Sequence, residues 1–206
     1  MYWYPIYAYI RRLGYPQEDA EDLTQGFFAR VLEKAYLRDF QRERGRFRSF
    51  LLGALKHFIA NERDWARAEK RGGASIVVPL DAVLRTAEAR YGLEPRDSLS
   101  PEKLFERQWA LALLDRVHGR LRADAAARGK REQFERLKSY LLADDRGDGY
   151  RAAADDLKTS EGAIKVAVHR LRARFRDVLR EEIAQTVDDP ADIGQELRDL
   201  MAAIRS

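Results

Sequence analysis

The residues best suited to act on another molecule lie in a basic segment of the C-terminal half, Ser160–Arg172. At 100° per residue, one side of this segment faces away from its apolar stripe. That side combines cations with small residues and one valine. Its residues are Gly162, Lys165, Val166 and His169, flanked by Arg170 and Arg172. Lysine and arginine donate hydrogen bonds to guanine edges or phosphates, and an outward valine can contact a thymine methyl group. This segment predicts DNA reading, with a solvated charged helix or a protein interface as the alternatives.

These side chains need a pair of helices to hold them. Tyr150–Leu157 predicts a short helix and Lys158-Thr159-Ser160 a turn, with Ser160 as the N-cap of a helix that begins at Glu161. The pattern predicts a helix-turn-helix from residue 150 to about 183. Its expected inward side chains are Ala153, Ala154, Leu157, Ile164, Val168, Leu171, Phe175, Val178 and Leu179.

Composition excludes several classes of protein. The 206 residues include no cysteine, which excludes disulfides, zinc fingers and thiol chemistry. The three histidines lack metal-ligand spacing, so we expect neither a metal nor a cofactor. No apolar run reaches the length of a membrane span, and the N-terminus lacks a signal-peptide pattern. We therefore expect a cytoplasmic protein without membrane contact.

Charge is distributed unevenly along the chain. The formal net charge is +4, but residues 41–72 carry nine basic against four acidic side chains. Residues 161–180 carry six against two, whereas residues 181–206 carry two against seven. Two separate basic segments suggest two contacts with a polyanion. The acidic tail is expected to fold back over the DNA-facing side of the basic helix before it.

Helical periodicity dominates and predicts an all-α fold, with two small helical domains joined by a linker and the helix-turn-helix in the C-terminal one. The expected limits are 1–72 for the N-terminal domain, 73–100 for the linker, 101–185 for the C-terminal domain and 186–206 for a helical extension. Ile76–Leu80 is a short strand-like run. Further predicted helices are Tyr2–Leu13 ended by Gly14, Asp81–Tyr91, Pro101 to about Arg122 capped by Ser100, Glu132–Ala143 and Pro190–Ile204.

The N-terminal domain combines an acidic helix with a basic, aromatic one. The second helix has an apolar stripe at Ala20, Leu23, Phe27, Phe28, Val31, Leu32 and Ala35. Opposite this stripe lie Glu18, Glu21, Asp22 and Gln25. In the third helix, Phe47, Phe50 and Phe58 are expected in the core. Trp65 is the better candidate for stacking on an unpaired base.

Three segments resemble, in order, the motifs of bacterial RNA polymerase sigma factors of the extracytoplasmic-function (ECF) type. Asp19–Phe28 is similar to the helix that binds core RNA polymerase, and Arg44–Leu51, continuing to Arg71, to the helix that melts and reads the −10 element. Glu161–Leu171 is similar to the −35 recognition helix. The likeness covers most of the chain and has a linker where the family has one.

The resemblance assigns roles to individual residues. For core polymerase it implies Asp19, Glu21, Asp22, Gln25 and Phe28. For the −10 element it implies Arg44, Arg46, Arg48, Lys56, His57, Asn61, Arg63, Trp65, Arg67 and Arg71. For the −35 element it implies Ser160, Glu161, Gly162, Lys165, Val166, His169, Arg170 and Arg172. His57 and Asn61 stand where many members have Asn and Asp, so base preference at −10 does not carry over.

The resemblance implies a non-enzymatic protein that acts as a monomer on core RNA polymerase and promoter DNA, and it allows an anti-sigma factor as a further partner. The alternative is a stand-alone helix-turn-helix regulator, which would leave the acidic helix and the basic, aromatic helix unexplained. A nuclease or phosphotransferase would need clustered carboxylates with partners or a phosphate loop. The carboxylates at Glu18–Asp22 have no basic or histidine partner at helical spacing.

Overall fold

A computed structural model of the chain describes residues 2–33, 46–68, 81–94, 99–141 and 148–205, except for the side chains of 33, 65–68, 81–85 and 148. Within these ranges the chain forms helices and no β-sheet, which confirms the all-α class. It divides into two compact units. Unit 1 comprises Met1–Ala112 together with Ala184–Ser206, and unit 2 comprises Leu113–Ile183.

The described helices follow one another closely along the chain. In order they are α1 (Trp3–Arg12), α2 (Gln17–Glu33), α3 (Phe47–Ala68), α4 (Asp81–Tyr91), α5 (Pro101–Ala127), α6 (Arg131–Leu137), α7 (Asp148–Asp156), α8 (Glu161–Ala184) and α9 (Ile193–Arg205). Short 3-10 turns occupy Lys138–Tyr140 and Pro190–Asp192. Among these helices, none is both long and apolar enough to cross a membrane.

The core of unit 1 forms around α1 and the first part of α5. Ile6, Ala8 and Ile10 are completely buried in α1, which identifies this helix as the centre of the unit. Gly14 follows α1 with φ +94°, in the left-handed region that glycine adopts without strain. The prediction that Gly14 ends the first helix is therefore confirmed. Ser100 caps α5 as predicted, because its hydroxyl accepts a hydrogen bond from the Lys103 N–H at 3.3 Å.

Residues assigned to a linker are partly packed into unit 1. The predicted helix Asp81–Tyr91 is confirmed as α4. Arg11 of α1 donates two hydrogen bonds to the Glu88 carboxylate, at 3.0 and 2.8 Å, and the Tyr7 hydroxyl donates a third. Leu99 is buried beside Ala8. Helix α4 and Leu99 thus pack against α1, while Ile76–Leu80 lies outside the described residues.

Unit 2 packs α6, α7 and α8 around one apolar cluster. Its buried members are Leu137, Tyr150, Ala153, Ala154, Ile164 and Val168. Leu157 and Leu171 pack against this cluster, so the expected inward side chains of both helices are confirmed. Within the segment expected as one helix over 132–143, the described residues form α6 followed by the 3-10 turn at Lys138–Tyr140, and residues 142–143 lie outside the description. Helix α7 begins two residues earlier than expected, at Asp148.

The compact units do not coincide with the predicted domain limits. Sequence reasoning placed the whole of residues 101–185 in the second domain, whereas the structure gives the first part of α5 to unit 1. The reason is that Leu104 and Phe105 are completely buried and Trp109 contacts Phe47 of α3. The extension after residue 183 also returns to unit 1, so unit 2 is an insertion between two parts of unit 1.

The burial of α2 and α9 differs from the apolar pattern of the sequence. Leu32, placed in the apolar stripe of α2, is 77% exposed. At 100° per residue it lies about 140° from Phe27, the buried side of the helix. In α9, Ile193, Leu197, Leu200, Met201 and Ile204 form an apolar stripe on one side of the helix at helical spacing, but the buried positions are Glu196, Leu200 and Ala203. Glu196 lies at the centre of the buried face of α9 because its carboxylate pairs with Arg48, a partner that sequence periodicity does not indicate.

The turn between α7 and α8 contains a strained residue. Lys158 has φ +50°, which costs a residue with a Cβ about 1–2 kcal/mol. We expect Lys158→Gly to stabilise unit 2 by about 0.5–1 kcal/mol, since relief of this strain exceeds the extra entropy of glycine in the unfolded chain. Urea unfolding followed by circular dichroism measures the change.

Gly129 provides a matched control for this substitution. Its φ is +68°, and a Cβ added there would meet nothing within 4 Å. Gly129→Ala should therefore destabilise the protein by backbone strain alone. A Lys158→Gly protein no more stable than the parent would show that the turn carries no such strain.

Candidate partner and nucleic-acid interfaces

Helix α2 presents carboxylates on its exposed side. Asp19 and Asp22 are exposed, and Glu21 is half-buried and accepts a hydrogen bond from the Gln17 side chain at 2.9 Å. Negative charge is favourable here because α2 begins at Gln17, where the helix dipole is positive. The carboxylates of Asp19 and Asp22 are thus accessible to a partner.

The same surface becomes apolar towards the C-terminal end of α2. Gln25 and Phe28 are half-buried, Ala29 is exposed, and Leu32 is the most exposed large apolar residue of this helix. Glu21, Gln25, Phe28 and Leu32 follow one another at helical-turn spacing and form a single edge. The structure therefore brings three of the expected core-binding positions together with Leu32, which sequence reasoning had assigned to the core.

The start of α3 is occupied by the C-terminal helix. Arg48 is only 5% exposed, and it donates two hydrogen bonds of 3.1 Å to the completely buried Glu196 carboxylate. Arg46 lies 3.2 Å from Glu196 and also donates to Asp199. Burial disfavours the charged form of Asp199, but the hydrogen bonds from Arg46 and Gln195, together with the charges of Arg46 and Arg48, outweigh this and lower the pKa of the carboxyl. Arg48 is consequently inaccessible to a ligand in this conformation.

These ion pairs correct the expected position of the acidic tail. The tail was expected over the DNA-facing side of the basic helix at residues 161–180. Instead, the ion pairs described for Glu196 and Asp199 join α9 to the two arginines that begin α3. Both partners belong to unit 1.

Further along α3, the expected −10 residues form an exposed polar face. Lys56, His57 and Asn61 are exposed, and the Lys56 ammonium lies 2.9 Å from the Glu102 carboxylate. This hydrogen bond raises the pKa of Lys56 and lowers that of Glu102. Arg63 is also exposed, and it donates a 2.7 Å hydrogen bond to a tyrosine hydroxyl at position 15. His57 and Asn61 are one turn apart on this face.

Four expected −10 positions cannot be placed as side chains. Arg44 and Arg71 lie outside the described residues. Trp65 and Arg67 belong to α3, but their side chains are outside the description. The proposed stacking role of Trp65 stays a prediction.

Helix α8 presents the expected −35 residues at its N-terminal end. Ser160 caps the helix, since its hydroxyl accepts a 3.2 Å hydrogen bond from the Ala163 N–H. Val166 is 50% exposed, and Gly162, His169 and Arg170 are exposed as well. Lys165 is exposed and pairs with Glu161 one turn earlier, at 2.8 Å. One continuous face therefore combines positive charge, hydrogen-bond donors and an apolar side chain.

Arg172 is placed differently from the other residues of this set. It is half-buried, and its Nε donates a 3.0 Å hydrogen bond to the Tyr140 carbonyl. This bond ties α8 to the turn that follows α6. The structure thus gives Arg172 a packing role within unit 2, whereas Lys165, His169 and Arg170 point outward.

A cleft of about 640 Å³ in unit 2 lies next to this face. Its apolar lining includes Leu121, Phe134 and Val166. Its cationic lining is Arg128, Lys130, Arg170 and Arg174, of which Arg174 pairs with Asp124 at 2.9 Å. Sequence reasoning did not find Arg128, Lys130 or Arg174. Arg128 and Lys130 lie between α5 and α6, far from α8 in the chain, whereas Arg174 lies on α8 one turn after Arg170.

Neither metal chemistry nor similarity to other proteins adds to this description. Within the described ranges, no three side chains that could ligate a metal converge. Comparison of the chain with protein-family models, curated proteins and solved structures finds no match. The function proposed below therefore follows from the exposed surfaces of α2, α3 and α8 and from the resemblance of the three sequence motifs.

Proposed function

We propose that this protein is a sigma factor of the ECF type, which binds core RNA polymerase and directs promoter recognition and DNA melting. The observation that carries the proposal is the exposed face of α2. The exposed Asp22 carboxylate lies beside an edge of the helix that is formed by Glu21, Gln25, Phe28 and Leu32. Charged groups give such an interface its register, and an apolar end supplies area to bury.

The second support is the pair of helices α7 and α8, which we interpret as a helix-turn-helix. Residues 157–160 join the two helices, and the shared cluster around Ile164 fixes one against the other. The outward face with Lys165, Val166 and Arg170 suits a major groove, where cations donate to guanine and valine packs on thymine methyl groups. We assign this face to the −35 element.

The third support is the exposed side of α3. Histidine, asparagine and lysine side chains on one helix face can hydrogen-bond to unpaired bases and phosphates. Stacking on an aromatic side chain offsets part of the cost of unpairing, at about 1–3 kcal/mol per base. With α3 on the −10 element and α8 on the −35 element, two modest contacts reinforce each other through their high effective concentration on polymerase.

Reconstitution with bacterial core RNA polymerase tests the proposal. The full-length protein should be retained by immobilised core enzyme, and the mixture should start run-off transcription from promoters selected out of a randomised template pool. A stand-alone regulator would bind duplex DNA without binding core enzyme or starting transcripts, and that result would overturn the proposal.

A double substitution in α2 tests whether its exposed surface binds core RNA polymerase. We expect Asp22→Ala combined with Gln25→Ala to weaken core-polymerase affinity on the order of ten- to a hundredfold, as for the central residues of an interface. Fluorescence anisotropy of labelled protein titrated with core enzyme measures this. Duplex DNA binding through unit 2 should not change.

Asp115→Ala is the matched control, because Asp115 is an exposed carboxylate on α5 in unit 2. Its removal should leave core affinity at the parent value. If the α2 variant binds core enzyme as tightly as the parent, α2 is not the polymerase contact.

A further inference from the structure

The C-terminal helix is joined to the first turn of α3 by a buried ion pair. Glu196 is 0% exposed and Arg48 is 5% exposed, and both guanidinium–carboxylate hydrogen bonds measure 3.1 Å. The remaining Nη of Arg48 lies 3.4 Å from the Glu106 carboxylate of α5. A bidentate pair of this kind fixes direction as well as distance.

The chain just before α9 also contacts the backbone where α3 begins. The Phe47 N–H donates a 2.9 Å hydrogen bond to the carbonyl of Thr186, which is buried, and Arg46 forms an isolated β-bridge with Val187. The first N–H groups of a helix have no partner within the helix, so this bond satisfies one of them from outside. Leu200 and Ala203 bury the apolar side of α9 in the same unit.

Burial distinguishes Arg48 from the other described cations of α3, whereas Arg46, just before the helix, is half-buried. A phosphate ligand must reach the guanidinium, yet Arg48 is enclosed by Glu196 and Glu106. Exposing Arg48 would require α9 to detach, which would uncover apolar surface and leave a charge without its partner. Lys56 and Arg63, by contrast, are exposed without any such movement.

We infer that α9 is the positioning element of the −10 helix, and that Glu196 is its positioning residue. In this assignment, which rests on the proposed function, Arg46 and Arg48 are anchors for α9 rather than ligands of DNA. The C-terminal extension completes the N-terminal unit. It sets the direction in which α3 leaves residue 46, and thereby the placement of His57 and Asn61 against the melted strand.

The direct test compares two isosteric substitutions in the tail. Glu196→Gln keeps the shape of the anchor but removes its charge, and Asp188→Asn makes the same change at an exposed position. In holoenzyme on a selected promoter, we expect Glu196→Gln to slow strand opening about tenfold, as for loss of a charged hydrogen bond, with core affinity and closed-complex formation unchanged. Permanganate footprinting follows opening. Equal opening by both variants would overturn the inference.

A measurement without polymerase keeps the inference independent of the proposed function. Hydrogen exchange in the peptide covering residues 46–51 should be about tenfold faster in the full-length Glu196→Gln protein than in Asp188→Asn. Unchanged exchange would show that α9 does not hold the start of α3. If exchange accelerates but the parent protein neither binds core enzyme nor starts transcripts, the proposed function fails while the anchor stands.

Salt dependence separates an anchor from a phosphate ligand. Removing a single-strand phosphate contact reduces the slope of log affinity against log salt by about 0.7. We expect Arg63→Gln to lower the slope of promoter-complex affinity by this amount, and Arg46→Gln to weaken binding equally at every salt concentration. A slope reduced by Arg46→Gln would identify Arg46 as a phosphate ligand and overturn its role as an anchor.

Discussion

Replacement of Trp109 by alanine is expected to lower the free energy of unfolding of unit 1 by about 3–5 kcal/mol. The indole is 1% exposed and stacks on Tyr2, with ring centroids 4.4 Å apart and an interplanar angle of 15°. Phe47 and Phe105 complete the cluster, each with its ring centroid 5.9 Å from that of Trp109. Alanine would leave a large cavity, since three separate segments meet there and cannot collapse together.

Trp109→Phe is the control for this effect. The buried Nε1–H has no hydrogen-bond partner among the described residues, so phenylalanine loses ring volume but no hydrogen bond. We expect a cost of about 1–2 kcal/mol. Urea denaturation followed by circular dichroism gives both values. Equal costs for alanine and phenylalanine would contradict the packing role of the indole.

The second large effect concerns the buried ion pair. Arg48→Met should destabilise unit 1 by about 3–5 kcal/mol, because removing one member of a buried pair leaves the other charge poorly compensated. Glu196 would keep Arg46 as a neighbour at 3.2 Å, which places the expected cost at the lower end of this range. Thermal and urea unfolding of the full-length protein measure the loss.

A double-mutant cycle shows whether the loss comes from the pair. Combining Arg48→Met with Glu196→Leu replaces both charges by apolar groups of similar size, and we expect much of the stability to return. Arg63→Met, on the exposed side of α3, should change stability little. Strictly additive effects of the two buried substitutions would show that Arg48 and Glu196 are energetically independent.

Local patterns in the sequence predicted much of this structure. Apolar residues at helical spacing located α3, α7 and α8, and cap residues such as Ser160 marked where helices begin. The end of α1 at Gly14 was also foreseen, because a left-handed glycine after a helix follows from short-range backbone sterics. These features depend on neighbours within a few residues, which a single sequence displays directly.

The candidate surfaces were predicted less completely. Asp19 and Asp22 on α2, and Lys165, Val166, His169 and Arg170 on α8, lie on exposed faces as the helical periodicity implied. Leu32 was wrongly predicted to be buried, because it was assigned to the core on its apolar side chain although its angular position on α2 is away from the buried side. Arg46 and Arg48 were predicted to contact nucleic acid because they lie in an arginine-rich segment. Such a segment does not show which arginine side chain will be buried inside the protein.

By itself, the sequence determined an all-helical chain with an acidic surface helix and two basic segments. Only the tertiary structure decided that residues from α9 return to the first unit, and that Glu196 meets Arg48 across 148 positions of the chain. From the sequence alone, the tail carboxylates and the arginines near the start of α3 could each face solvent, bind another molecule or pair with one another. Burial settles the choice, because a charge removed from water must have a partner, and the fold supplies it.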